Sequence, residues 1–587
     1  MKTFIRSLAL GLVLPLACTS LLSSGLRGAD RASGSQSANG NGDILLSTMQ
    51  RELKRASDNL SHLDPAPYFA SYSVYDQEAT IVVGGLGSLL NSTQFHRRTG
   101  EVTMRVGSAA LDNTHQENRY SGMTSGLIPL QDDPDAIARV LWQLTHEEYR
   151  QAAQSYLNVK TAAAVRTKDD DTSPDFAEEK PQTHLDYAMP AFHLDQKDWE
   201  DRVRRYSGYF RKYPEIYSSA VMVVAEKTQL RFVSSDGAQL ATPGTIIRMI
   251  IEAETRAEDG MELLRVETFQ AATPDRLPGE AEIAGKIGKM ASDLKALRAA
   301  PVAEPFDGPA LLSGRAAAVF FHEVLGHRLE GHRQRGDEEG QTFTKKVNQQ
   351  ILPEFLSVID DPTQRSLNGM DLGGWYQYDD EGMPAERVEV IKDGVLKNFL
   401  MSRMPVNGFA DSNGHGRAQA GLMATGRQGN LIVSSTRTVK DAELRQKLID
   451  EIRKQAKPYG LYFEDIEGGF TLTTRSLPQS FQILPVLVWK VYPDGRPDQL
   501  VRGVDIVGTP LAALNRIEVT GDKAEVFNGI CGAESGSVPV SAVAPAMLFS
   551  EMEVQKRAHS RNRPPILPPP AWDAPATKPA SKSGGAQ

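Results

Sequence analysis

The two histidines of His322-Glu323-Val324-Leu325-Gly326-His327 stand five positions apart rather than four. On a regular α-helix, residues four apart differ by about 40° of rotation and share a face, whereas residues five apart diverge by about 140°. A straight helix cannot aim both imidazoles at one point. If the two rings act together, the helix must carry a π-type turn or change course at Gly326. The segment runs on to Glu330 and His332, so three of the chain's eleven histidines and two glutamates fall within eleven residues. Two imidazoles with a carboxylate beside them are the donors of a metal site and its general base. The plainer alternative is a pair of unrelated histidines on a helix surface. The preceding residues, rich in Ala and Phe from Gly314 onward, instead predict a buried helix.

A catalytic zinc takes three protein ligands and leaves one position for water. His322 and His327 supply two. Cys531 is a candidate third, because the glycines of Gly529-Ile530-Cys531-Gly532 let the backbone come close and a thiolate binds zinc well. Glu330 is a rival, three residues after His327 and on nearly the same helical face. His332 is another. The chain's other cysteine is Cys18. If that residue is removed or lipidated, Cys531 has no disulfide partner, and simple burial of the thiol is the plain alternative to metal binding.

At 587 residues the chain exceeds one small core, and two domains plus tails are expected. Apolar content of 40% and charged content of 24% suit a globular protein, while a formal net charge of −9 without a basic stripe excludes nucleic acid as the main partner. Lys2 and Arg6 precede the apolar run Leu8 to Ala17, the order of an export signal, too short to span a membrane. Leu14-Pro15-Leu16-Ala17-Cys18 resembles a bacterial lipoprotein box, although Pro15 is unusual there, so Cys18 is a candidate lipid anchor. The expected location is exported, periplasmic or cell-envelope associated, in a bacterium; an unprocessed hydrophobic helix is the alternative.

The expected organisation is a signal peptide over 1–29, a Gly/Ser-rich linker over 30–42, an N-terminal α+β domain over 43–300, a C-terminal domain over 301–557 and a Pro-rich tail over 558–587. The fold class is α+β: a mixed α/β domain followed by a mostly antiparallel β domain with the histidine-bearing helix packed against it. Asp133-Pro134 starts a helix running toward Val165, on which His146-Glu147-Glu148 reads as a solvated face. Tyr217 to Ala225, Leu230 to Val233 and Thr245 to Ala253 read as short strands around a turn at Ser234 to Gly237. Ile283 to Ala299 reads as a helix. Arg387 to Ile391, Asp393-Gly394 and Val395 to Leu400 make a hairpin, and Pro485 to Val507 holds a second around Pro493-Asp494-Gly495. The first hairpin is either structural or an open edge for an extended peptide.

His322 to Gly331, read with the Asp-Asp-Glu-Gly turn at 379–382 and Cys531-Gly532, resembles the TldD/PmbA family of zinc metallopeptidases. The Ser-Asp-Gly turn at 235–237, Asp360-Asp361-Pro362, Leu500 to Gly503 and Val538-Pro539-Val540 match in kind, so the likeness covers about residues 200–555. It implies one zinc ion held by His322, His327 and Cys531, with Glu323 as catalytic base. It also implies the motif-bearing, TldD-like member of a homo- or hetero-dimer with a related subunit. Two features depart from the family: His332 stands where Asp is common after Glu-Gly, and an export signal precedes a chain whose relatives look cytosolic.

The resemblance thus implies a peptidase that hydrolyses peptide bonds in unfolded or flexible peptides, with a zinc-activated water as nucleophile, and the N-terminal signal implies that it is exported. A thiolate ligand leaves the site less electrophilic than neutral ligands would, which calls for an oxyanion stabiliser. His415 and Arg417, in the loop Asp411 to Arg417, are candidates for that contact or for substrate; a polar turn with a solvated histidine is the plainer alternative. The competing functions are a non-catalytic envelope protein with a structural zinc and a subunit active only with its partner.

Overall fold

A computed structural model describes residues 42–116, 119–165, 172–189, 194–336, 339–476 and 479–558. The export segment with Cys18, nearly all of the linker and the Pro-rich tail lie outside the described residues.

The N-terminal part is built on an antiparallel sheet with helices on one face. Helix α1 (Ile44–Leu60) is capped by Asp43, whose side chain accepts from the Leu46 N–H at 2.9 Å. It precedes a long hairpin, β1 (Pro67–Gly85) and β2 (Ser88–Ser108), that the sequence reading did not anticipate. Helix α2 (Pro134–Val165) starts as expected, with the Asp133 carboxylate accepting from the Asp135 and Ala136 N–H groups at 3.0 and 3.1 Å. Its His146 and Glu147 are solvated, but Glu148 is fully buried, which corrects the expectation of a solvated face for the whole triplet. Burial raises the Glu148 carboxyl to about 8.

After α3 (Gln196–Gly208), the runs expected as separate short strands form one continuous strand, β3 (Ser218–Ser234). The turn at Gly237, with φ of 108°, joins it to β4 (Gln239–Arg256). With β5 (Glu262–Ala271), the main strand order is β2-β1-β3-β4-β5. Apolar residues on one face of the sheet, among them Tyr72, Val74, Val223 and Met249, pack on α1 to α3 and on α4 (Glu280–Ala299). The alternate residues face the C-terminal part, as a period of two dictates.

The C-terminal sheet has eleven strands and curls until it closes on itself. Strand β6 (Phe306–Leu312) leads through the capping residue Ser313 into α5 (Gly314–Phe321). Next in the chain come β7 (Leu356–Asp360), β8 (Val388–Lys392), β9 (Val395–Leu396) and β10 (Asn430–Ser435). Helix α6 (Asp441–Lys454), β11 (Gly460–Thr471), β12 (Phe481–Val491) and β13 (Val504–Gly508) lead to the hairpin β14 (Ile517–Ala533) and β15 (Gly536–Lys556). Strand β15 pairs with both β13 and β6, so β15-β13-β12-β11-β6 forms a ring whose two ends meet. Within the ring only the β11–β6 pairing is parallel and the others are antiparallel; outside it, β10 also pairs with β15 in parallel. The α+β reading holds.

Helix α5 packs against β15, β14 and β11. Phe320 meets Phe481 and Phe549 edge-to-face at 5.7 and 5.2 Å. The Asp393-Gly394 turn has both residues at positive φ, 46° and 76°, as a two-residue hairpin needs. Its return strand, however, is only two residues long, and Leu396 exchanges hydrogen bonds with Asn348 and Gln349. That side of the hairpin is occupied by the chain itself, so it is structural rather than an open edge for a peptide. Among the described residues, no helix is long and apolar enough to cross a membrane.

Candidate metal centre

The helix resolves the awkward spacing by changing its winding. Residues His322–Gly326 form a π turn between α5 and one further α-turn, His327–Leu329. The wider turn brings the two rings together, edge to face with centroids 4.9 Å apart. Gly326 keeps helical backbone angles (φ −53°, ψ −51°), so the helix does not turn aside there. Glycine serves close approach instead: a Cβ at this position would collide with the Gln428 side-chain amide.

A π turn shifts the hydrogen-bond ladder, and two side chains absent from the sequence reading donate to carbonyls of the turn. The Arg328 Nη1 donates to the carbonyls of Glu323 and Val324, both at 3.2 Å, and the Gln428 Nε2 donates to that of His322 at 3.4 Å. Arg328 is 1% exposed and also donates to Thr471 Oγ1 at 2.5 Å. Burial without a paired carboxylate lowers its guanidinium to about 10.

The third donor comes from the β14–β15 hairpin. Cys531 Sγ lies 3.4 Å from His327 Nε2, and donor atoms of His322, His327 and Cys531 all fall within 4.8 Å of one another. Tetrahedral zinc with ordinary Zn–S and Zn–N bonds would separate sulfur from nitrogen by about 3.6 Å. All three residues are buried, and His322 Nδ1 is a buried nitrogen without a hydrogen-bond partner. Burial alone would push the Cys531 thiol up, but His327, His322 and Arg427 together hold it well below the usual thiol range. Burial would likewise lower His327, yet Cys531 and Glu330 raise it well above the ordinary value. Bound to a cation, the imidazoles would be neutral and the thiol ionised; the convergence of the three donors and the unpartnered His322 Nδ1 fit a zinc ion.

Glu330 and His332 were rival ligands in the sequence; the structure gives them other partners. Glu330 Oε1 accepts from His327 Nδ1 at 3.1 Å, which leaves Nε2 facing the thiol. Its other oxygen takes Arg333 Nε at 2.7 Å, and Arg427 Nε lies 3.6 Å from the carboxylate. Burial would raise this carboxyl, but His327, Arg333 and Arg427 bring it down to about 2. Arg427 also donates to the Cys531 carbonyl at 2.8 Å and to Ser535 Oγ at 2.7 Å, fixing the strand that carries the thiol. His332 pairs with Glu534, on which Arg333 also sits at 3.0 Å. Glu330, His332 and Glu534 could themselves gather round an ion. The two guanidiniums against their carboxylates make that group an ion-pair network instead.

Glu323 lies beside the cluster, with Oε2 4.0 Å from His327 Nε2. Burial raises its pKa, partly offset by the two histidines. Gly469 on β11 leaves room for it, since a Cβ there would press on Glu323 Cγ at 2.8 Å. His415 and Arg417 are not brought to the cluster by any hydrogen bond. His415 is fully buried rather than solvated, held by Asn413 at 2.9 Å and by Asp360 at 3.4 Å. Arg417 donates to the Gln428 carbonyl at 2.7 Å and stacks over Tyr376 at 4.7 Å. They support the loop behind the site, one residue removed from the side chain that meets His322.

A closed β-ring carrying a buried two-histidine, one-cysteine cluster with an adjacent glutamate defines a metal-site protein of the α+β class. Residues 307–556 match the family described as the PmbA/TldA metallopeptidase C-terminal domain. A metalloprotease of Archaeoglobus fulgidus is 28% identical over 239 residues, 40% of this chain and 51% of its own length. A zinc metalloprotease TldD homolog of Saccharolobus solfataricus is 26% identical over 252 residues, 42% of this chain and 51% of its own length. The matched stretch spans about half the length of these curated relatives. The solved structure of TldE from Thermococcus kodakarensis aligns over 86% of this chain and 100% of its own, with a TM-score of 0.55 at 13% identity, a likeness of fold alone. Over residues 307–556 the chain carries the C-terminal domain of the PmbA/TldD metallopeptidase family.

Proposed function

We propose that this protein is a zinc-dependent peptidase acting on unfolded or flexible peptides. The observation that carries the reading is the convergence of His322, His327 and Cys531 from two distant segments, with the Glu323 carboxylate alongside. Three protein donors, rather than four, are the number of a catalytic zinc site, and the metal when bound supplies Lewis acidity and a more acidic water. Glu323, its pKa raised by burial, is suited to take a proton from the attacking water on Oε2 and return it to the leaving amine. Glu330 fixes the His327 ring with Nδ1 occupied, and the burial of the cluster excludes bulk water. One ion per chain, export with Cys18 as a candidate lipid anchor, and dimerisation with a related subunit belong to the same reading. Their support is the basic-then-apolar order of residues 2–17 and the family match over residues 307–556.

The test is zinc analysis of the purified chain beside peptide cleavage by wild type and Glu323→Gln. One zinc per chain, cleavage by wild type, and loss of about 100- to 10,000-fold in the variant with zinc retained are expected. Absence of zinc, or cleavage unchanged by the substitution, overturns the reading. Cell fractionation and the native mass of the assembly test export and pairing.

A further inference from the structure

Away from the metal cluster, the open face of the N-terminal sheet encloses a cavity of about 40 Å³ against the C-terminal part. Since one water needs about 10–15 Å³ of such space, it has room for about three waters or a small organic group. Its acidic wall is Glu101 from β2 with Asp380 and Glu381 from the turn at 379–382. Their partners are a tyrosine hydroxyl and backbone N–H groups. Glu101 accepts from Gly421 at 2.5 Å, Glu381 from Arg403 N at 2.6 Å, and Asp380 from Ala418 N at 2.9 Å and Tyr75 Oη at 3.0 Å. No ion pair to these three carboxylates occurs among the described residues.

Two guanidiniums line the same space and stack on Phe176, each at 4.1 Å. Each forms its ion pair with another carboxylate, Arg403 with Asp236 at 3.3 Å and Arg105 with Asp112 at 3.0 Å, while both also favour the ionised form of Glu381. Arg105 is 2% exposed, and its Nε is a buried donor without a partner. A buried N–H left unpaired costs about 1–3 kcal/mol. The cavity thus offers three carboxylates without an ion pair among the described residues and, on the same lining, a residue with a buried donor lacking an acceptor.

We propose that this cavity binds a small α-amino group together with its adjoining carbonyl or carboxylate oxygen. The ammonium would sit among Glu101, Asp380 and Glu381, and the oxygen would accept from Arg105 Nε. A free small amino acid and the N-terminal residue of a peptide present the same chemistry. The inference stands apart from the metal cluster and does not depend on its activity.

Isothermal titration of the full chain with L-alanine, the dipeptide Ala-Gly and N-acetyl-L-alanine tests it. Binding of alanine, the dipeptide or both is expected, with the acetylated compound at least tenfold weaker. Alanine binding identifies the free amino acid as a ligand, and binding of the dipeptide alone identifies a peptide N-terminus. Glu101→Gln and Arg105→Gln should each weaken binding at least tenfold. Because Arg105 also holds Asp112, Ala424→Leu, which adds bulk to the cavity lining, tests the site without removing either member of that pair. Failure of both amines to bind wild type, equal binding of the acetylated compound, or unchanged binding by Ala424→Leu overturns the proposal.

Discussion

Glu330 and Glu101 are both buried glutamates, and their surroundings drive them in opposite directions. Glu330 is wrapped by His327, Arg333 and Arg427 and stays ionised, its carboxyl brought down to about 2. Glu101 has a backbone N–H from Gly421 and the neighbouring Asp380, and burial raises it to about 8. Burial penalises charge in both places, so the difference lies in whether cations accompany the carboxylate inside. At the metal cluster the ionised carboxylate orients an imidazole. At the cavity Glu101, raised to about 8, favours its protonated form near neutral pH.

Four experiments bear on this contrast. The largest effect is expected from Cys531→Ala, which removes a donor outright. Its loss of zinc affinity should exceed the roughly 10–100-fold range typical of outer partners, measured by competition with a chelator. Unchanged zinc content would take Cys531 out of the site. Glu330→Gln should weaken zinc within that range of about 10–100-fold while the ion still binds. If it matched wild type, the charge on Glu330 would have no bearing on His327.

Arg328→Met removes a donor shared by two buried π-turn carbonyls, a loss of about 1–3 kcal/mol. A lower midpoint in denaturant is expected, and an unchanged one would mean that the turn needs no side-chain support. The smallest effect belongs to Glu101→Gln and depends on pH. A carboxyl raised from 4.5 to about 8 contributes stability that is fully present below pH 4.5 and lost as pH rises through about 8. Wild type should therefore lose thermal stability across that window, and the variant should lose less, becoming the more stable of the two at pH 9. Parallel pH profiles would place Glu101 on the same footing as an exposed carboxylate.

The sequence was most informative where chemistry forces a pattern. The spacing of His322 and His327 required a distorted helix, and a π turn is what forms. The hairpin at Asp393-Gly394 and the caps at Asp133 and Ser313 follow from local rules that need no tertiary knowledge. Arg328, Gln428 and Arg427 were invisible because they donate to backbone carbonyls, 106 positions away for Gln428 and His322 and 152 for Arg328 and Ser480. Nothing about an arginine in sequence marks which carbonyl it will meet. Glu330 was legible as a neighbour of His327 but not as its outer partner, since a ligand and a ligand's support share the same spacing. The β1–β2 hairpin escaped notice because much of its outer half is exposed and polar, which blurs the alternation that marks a strand.

The π turn also sets a limit on shortening this chain. One extra residue in a helix is a phase slip: everything after Gly326 is rotated by about 100° relative to a helix lacking it. Removing any one residue between the two histidines would give a more regular helix by every local measure. It would also turn Arg328 and Leu329 away from the partners they now meet. Length here is information, and a deletion would erase it even where every remaining residue is unchanged.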